Sequence, residues 1–409
     1  MAKNLLRADW AELDSEDLRL LLETRIGGPG QYSGDPRDRN RLYLPLADSS
    51  CRVALRFQGN RLSAIEPGRN FDRTEWARIQ ADIDNDLLAG QIKIGRDLGF
   101  SAFRVDGWWR GTKSGVQILP APRRAPNIES EAGEHPFLLE FPLQVTSVAK
   151  ITNARRLREH RKLMLLLNVL LMGRINVQPI QPEHFWANLG WKRNKPQIRW
   201  VQHWYFADIG NVIRINPSRP TGSPLEELSP PDYYTQRGHD GKALRVPTDL
   251  DESICCYRSL APEHRDKFDR ALFWMDIAAR QWTTSMSSSF ASLVSAVESL
   301  TERGETHVVY CRKCRGERSH DAPGLTELFR RFFETYAPGR SLRERRSEMY
   351  QLRSGILHGS GLISFDEGRA FGWDPPWRNQ NDLHQELWSI TEVALRNWLK
   401  GQVREAKRQ

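Results

Sequence analysis

Arg353 and His358 are separated by four residues in the stretch from Glu344 to Ser360, ERRSEMYQLRSGILHGS. A guanidinium grips an oxyanion through two parallel N–H bonds, and a histidine imidazole exchanges protons near neutral pH. Together the two residue types suit chemistry at a phosphate, with His358 as general acid or base and Arg353 as the charge that steadies the anion. The spacing alone is common in proteins. The blander reading is an arginine in a bundle ion pair and a histidine beside the negative end of a helix dipole.

A second cluster is His307-x3-Cys311-x2-Cys314-x5-His320, four candidate soft ligands within fourteen residues. A zinc loop takes two such pairs, so one expectation is a structural zinc on an insertion at 304–323; the other is two reduced surface cysteines without metal. Arg312, Lys313, Arg315 and Arg318 make the same segment electropositive. Cys255 and Cys256 have only His264 nearby in sequence and are assigned to packing. Five cysteines are too few, and odd in number, for a disulfide framework. No glycine-rich phosphate loop, nucleophile elbow or His-Glu-x-x-His is present.

The element that must carry the Arg/His pair is a helix. Over 344–360 Met349, Leu352 and Ile356 fall on one apolar stripe, and Gly359 sits where a helix usually ends. At about 100° per residue, His358 lies about 140° round from Arg353 and roughly 7.5 Å along the axis. One straight helix does not bring them together, whereas a cleft between two copies of the helix would. Glu298 flanks the apolar stripe Phe290, Leu293, Val294, Val297 and is the carboxylate expected opposite Arg353. Helical periods over 261–283, 288–303, 324–337, 342–359 and 381–403 make a five-helix pattern.

The first 250 residues read differently. Helical periods at 8–25 and 74–90, the latter with Thr74 as cap, alternate with period-two stretches at 52–58, 91–120 and 135–145. Residues 145–173 return to a helical period that stops at Gly173, and strands resume over the aromatic-rich 197–215. The basic run Arg155, Arg156, Arg158, Arg161, Lys162 reads as a solvated face or as an RNA contact. Proline, glycine and serine crowd 216–250, which places the domain boundary there. The expected class is α+β: a mixed domain with an antiparallel sheet over 1–250, then an all-α bundle over 251–409.

The phrase Tyr-x-x-Arg-Ser-x-Ile-x-His-Gly (350–359), preceded by FASLVSAVESL (290–300), resembles the HEPN superfamily and most closely its Apea-like branch. The resemblance covers roughly residues 261–402. It implies a helical bundle that commonly dimerises and, in many members, a ribonuclease acting through an Arg-x4-6-His motif, which here falls on Arg353 and His358. Ser354 stands where active members often carry Asn, Asp or His. The RNA 2′-hydroxyl would be the nucleophile, so no cofactor is expected for catalysis. The resemblance therefore implies an RNA-cleaving or RNA-binding protein, of the kind found in bacterial defence or toxin systems, with RNA and a second copy of the bundle as partners. The alternative it leaves is non-catalytic: a bundle that dimerises or binds a protein or nucleotide, joined to an N-terminal ligand-recognition domain.

The formal net charge of +9 favours a polyanionic partner, but the basic residues are not clustered, and a solvated basic surface explains them equally well. The longest apolar run, 163–173, is interrupted by Asn168 and falls short of the ~18 residues a spanning helix needs. The acidic start lacks a signal-peptide core, so a cytoplasmic location is expected.

Overall fold

The computed structural model describes the whole chain apart from residues 1–3, 11–12, 27–29, 33–38, 46–51, 69–70, 89, 122–134, 178–183, 193–194, 203–219, 221, 236–242, 302–305, 312–315, 322–323, 340–342, 369–374 and 407–409. It is α+β, as expected, and its contacts divide into two compact units.

The first unit comprises Met1–Arg96 and Phe141–Glu159. Strands β1 (Gln31–Tyr32), β2 (Arg41–Pro45), β3 (Arg52–Gln58) and β4 (Arg61–Pro67) form an antiparallel sheet in sequence order. Alternation places Leu42, Leu44, Val53 and Leu55 in a core completed by Leu18, Leu21 and Leu22 of α1 (Ser15–Ile26) and by Trp76, Ile79 and Ile83 of α2 (Arg73–Ile83). Asp72, not Thr74, caps α2: its carboxylate accepts the N–H groups of Thr74 at 2.7 Å and Glu75 at 3.3 Å. An aspartate two residues upstream reaches the first free amides, which a threonine already inside the first turn cannot do. The helix expected over 74–90 widens into a π-helical turn at Asp84–Leu88.

The basic half of α3 (Ala149–Leu170) is largely engaged inside the fold. Arg155 and Arg158 both bond the carboxylate of Asp17, a residue only 2% exposed, and Arg156 is itself buried. A buried carboxylate needs opposite charge around it, and α3 provides it twice. Lys162 pairs with Asp269 at 3.2 Å. Arg155 and Arg156 are thus taken up by the fold, while Arg158 and Lys162 pair with carboxylates and keep 35% and 44% side-chain exposure.

The second unit comprises Asp97–Glu140, His160–Arg214 and Ser218–Gln409. The two units are therefore interleaved in sequence, each taking more than one segment of the chain. β5 (Gln91–Ser101), β8 (His135–Val145) and α3 contribute residues to both units. The five-stranded sheet runs β6 (Trp109–Arg110), β7 (Gln117–Pro120), β8, β5, β9 (Ile175–Asn176). The proline-rich segment is no free linker, because its described residues are laced to this part of the chain: Leu225 N–H bonds Trp108 O at 2.7 Å and Leu244 N–H bonds Arg104 O at 2.8 Å. β10 (His184–Lys192) and β11 (Lys195–Gln202) form a hairpin; the rest of the aromatic stretch, 203–215, lies outside the described residues. β12 (Glu227–Leu228) pairs in parallel with β13 (Val246–Pro247), around the short α4 (Pro230–Thr235). Asp251 of α5 (Leu250–Arg258) accepts from the amides of Lys113 at 2.9 Å and Ser114 at 3.0 Å.

The five helical periods appear as α6 (Pro262–Gln281), α7 (Met286–Glu298), α8 (Leu325–Tyr336), α9 (Arg343–Leu357) and α10 (Pro375–Ala406). Between α7 and α8 stands a hairpin, β14 (Thr306–Cys311) and β15 (Gly316–Asp321), where only helices and a loop were expected. The β-branched and aromatic run THVVY is its sequence signal. α7 packs against α6, α9 and α10 and buries Phe290, Leu293, Val294 and Val297 completely. Phe268 of α6 stacks on Trp398 of α10 with centroids 5.4 Å apart. His384 of α10 is fully buried beside Trp282. Ser289 donates its hydroxyl to Ala278 O, leaving its oxygen to accept from the His384 Nε2–H at 2.9 Å. Burial pushes the imidazole pKa down to about 4, so His384 is a neutral core residue at pH 7. Among the described residues no helix is long and apolar enough to cross a membrane.

Candidate functional site

Helix α9 presents Arg353 to the end of α7. Arg353 Nη2 donates to Glu298 Oε2 at 2.7 Å, the partner expected from the sequence. Tyr350 completes the clasp: its hydroxyl donates to Glu298 Oε1 at 3.0 Å, and the Arg353 guanidinium lies 5.6 Å from the Tyr350 ring centre. Glu298 closes α7, where the helix dipole disfavours a carboxylate, so Arg353 and Tyr350 offset an unfavourable position. The side chains of Arg353 and Glu298 retain 18% and 25% exposure, which puts the pair at the edge of the bundle and not in its core. Tyr350 was legible only as part of a motif. Its i, i+3 relation to Arg353 was the physical signal that both reach one acceptor.

His358 is exposed and sits at the cap of α9. The helix ends in a Schellman motif: Ser360 N–H bonds Gly355 O at 2.9 Å, Gly359 N–H bonds Ile356 O at 3.1 Å, and Gly359 takes φ +70°. His358 N–H still bonds Ser354 O at 3.0 Å, so the last turn is regular and the rotation between Arg353 and His358 is preserved. Within one chain, Arg353 is turned to α7 while His358 stands in solvent. The half-buried Ser354 lies between them. Met349 is buried, but Leu352 and Ile356 are only half-buried, and Leu357, Leu362 and Phe365 are about half exposed. Exposed apolar side chains thus flank His358 in sequence on both sides.

The segment after His358 returns to the start of α7. Asp366 accepts from the amides of Met286 at 2.9 Å and Ser287 at 2.8 Å and from the Ser285 hydroxyl at 2.8 Å, while Ser287 Oγ accepts the Ile363 N–H at 2.8 Å. Partial burial pulls the Asp366 pKa up, but the bonds from Ser287, Ser285 and Met286 outweigh it and hold the carboxyl below the usual range. Glu298 and Asp366 therefore fix α7 to α9 at one end and to the segment behind His358 at the other. Asp366 was missed in the sequence, where it read only as one acid in a loop.

The zinc candidates fall on the β14–β15 hairpin. His307 stands opposite His320 and Cys311 opposite Gly316. Cys314 lies outside the described residues, as do the side chains of the other three. Four residues of strand, about 13 Å, separate the histidine pair from Cys311 along β14. Among the described residues no group of three or more His, Cys, Asp or Glu side chains is placed to hold a metal.

The geometry provides a guanidinium held in place by a carboxylate and a phenol, and an exposed imidazole one turn further on, facing elsewhere. Compared with protein-family models, curated proteins and solved structures, the chain matches none of them.

Proposed function

We propose that the chain is an endoribonuclease of the HEPN kind whose catalytic centre is composed across two copies of α9. The observation that carries this reading is the split between Arg353, clasped by Glu298 and Tyr350, and His358, exposed at the helix cap after the half-exposed Leu357. Neither residue serves the other within one chain. In a two-fold dimer of this face, the copies would set an imidazole of one against a guanidinium of the other. In the proposed reaction His358 takes the proton of the RNA 2′-hydroxyl, whose oxygen attacks the adjacent phosphorus. The bond from phosphorus to the 5′-oxygen breaks, the imidazolium of His358 gives the proton it took to that leaving oxygen, and Arg353 steadies the charge on the phosphoryl oxygens. The clasp by Glu298 keeps the guanidinium oriented, and the chemistry as proposed draws its nucleophile from the substrate.

A non-catalytic reading has one observation in its favour: Arg353 Nη2 is already bonded to Glu298, which is what a purely structural arginine would do. Cleavage of a mixed RNA pool in EDTA separates the two. Wild type should cleave, and His358→Ala should lower the rate by about 10² to 10⁴ with its melting temperature unchanged. Equal rates for both proteins, or no cleavage by either, would leave the binding-module reading in place.

A further inference from the structure

We propose that the cleft between α10 and α4 binds a small organic anion, with a carboxylate or phosphate monoester head held by Arg396 and an apolar body against Tyr234. The cleft encloses about 460 Å³ and is walled by Pro230, Pro231 and Tyr234 on one side and by Val393, Arg396 and Lys400 on the other. A second depression of about 500 Å³, carrying Trp282 and Trp388, adjoins it through the shared residues Met172, Ser389 and Glu392. Both volumes lie in the range of small-molecule sites, and both are lined by one face of α10.

Arg396 is the reason to expect an anion. It is 6% exposed, yet its contacts among the described residues are the face of Tyr234 at 4.1 Å and the Val169 carbonyl at a marginal 3.5 Å. Part-exposed bases in the same unit meet a carboxylate: Arg353 meets Glu298, Arg280 meets Asp276 at 3.0 Å, and Lys400 meets Asp249. The acids that act on Arg396 through space are Glu392 and Asp249, and both are engaged elsewhere. Glu392 accepts the Trp388 indole N–H at 2.9 Å, and Asp249 bonds Lys400. A buried guanidinium without an ion pair is costly, and burial disfavours its charged form here. The aromatic face of Tyr234 orients it by a cation–π contact and leaves its donors for a forked bond to an oxyanion. Lys400 at the same wall adds a second positive group, and the two tryptophans next door offer planar surfaces to an aromatic body.

The test is thermal melting of the full chain at fixed ionic strength with phenyl phosphate, benzoate, neutral benzamide and inorganic phosphate. The anionic ring compounds should raise the melting temperature by about 2–4 °C at roughly ten times their Kd, and benzamide and inorganic phosphate by much less. Phenyl phosphate against benzoate decides which head the site prefers. Arg396→Met should melt at or above the wild-type temperature, because it removes an uncompensated buried charge, and should lose the response to both anions. If Arg396→Met does not fold, Ser389→Trp, which fills the junction of the two depressions and leaves Arg396 in place, should abolish the shift instead. Equal shifts from benzoate and benzamide, no shift with any probe, or an undiminished shift in the variant that folds would overturn the proposal.

Discussion

Glu298 has two partners and a position at the end of α7 that offers it no help of its own. Removing Arg353 leaves this carboxylate with one neutral hydrogen bond at the negative end of a helix. Arg353→Ala should therefore destabilise the protein by about 1–3 kcal/mol, less than a fully buried broken pair because both side chains keep some solvent contact. Glu298→Gln retains both hydrogen-bonding geometries and should cost less; equal midpoints for wild type and Arg353→Ala in denaturant titrations would contradict the clasp. The pairing was legible from Glu298 flanking one apolar stripe and Arg353 flanking another. Tyr350 and Asp366 were not, since a phenol and a loop acid carry no spacing rule that names their acceptors and donors in advance.

At the scale of elements, α7 is held at its first turn by Asp366, which satisfies the amides of Met286 and Ser287 from 80 and 79 residues away in sequence. Asp366→Ala should cost about 1 kcal/mol, as the loss of an N-terminal cap does elsewhere. The pKa of Asp366 is depressed in the folded state, so its contribution is present above the ordinary carboxylate pKa near 3.9 and is lost as pH falls through the lower folded value. Differential melting of wild type and variant at pH 7 and at pH 2.5 checks this, and the gap should narrow at the lower pH. Periodicity alone located α6, α8 and α9 to within two residues at each end and α7 and α10 to within six, because amphipathic stripes survive any tertiary arrangement. It failed where side chains outside the pattern decide the outcome. Asp72 moved a cap by two residues, Asp17 drew Arg155 and Arg158 inward, and THVVY formed a strand inside a helical region.

For the whole molecule, the division into units was the least legible feature. A proline- and glycine-rich segment reads as a linker unless one knows that its amides bond Trp108 O and Arg104 O. For this reason tests of the bundle belong on the full chain and not on residues 251–409. Global stability should also depend on His384, whose folded pKa is lowered to about 4. The unfolded chain takes up a proton near 6.5 and the folded one does not, so stability should fall by about 3 kcal/mol as pH drops from 6.5 to 4 and should level off below. His384→Gln, compared over the same range by chemical denaturation, should show a flatter profile; parallel profiles would mean that the buried imidazole is not the group responsible.

The composite centre makes a demand that no single-chain site makes. Arg353→Ala and His358→Ala should each be inactive alone, but unfolded together and refolded they should regain about a quarter of wild-type RNA cleavage in EDTA, since half of the dimers would be mixed and each would hold one intact Arg/His pair. Co-purification through an affinity tag carried by only one of the two variants confirms that mixed dimers have formed. Mixed dimers as inactive as their parents would contradict the shared centre and place Arg353 and His358 in separate roles.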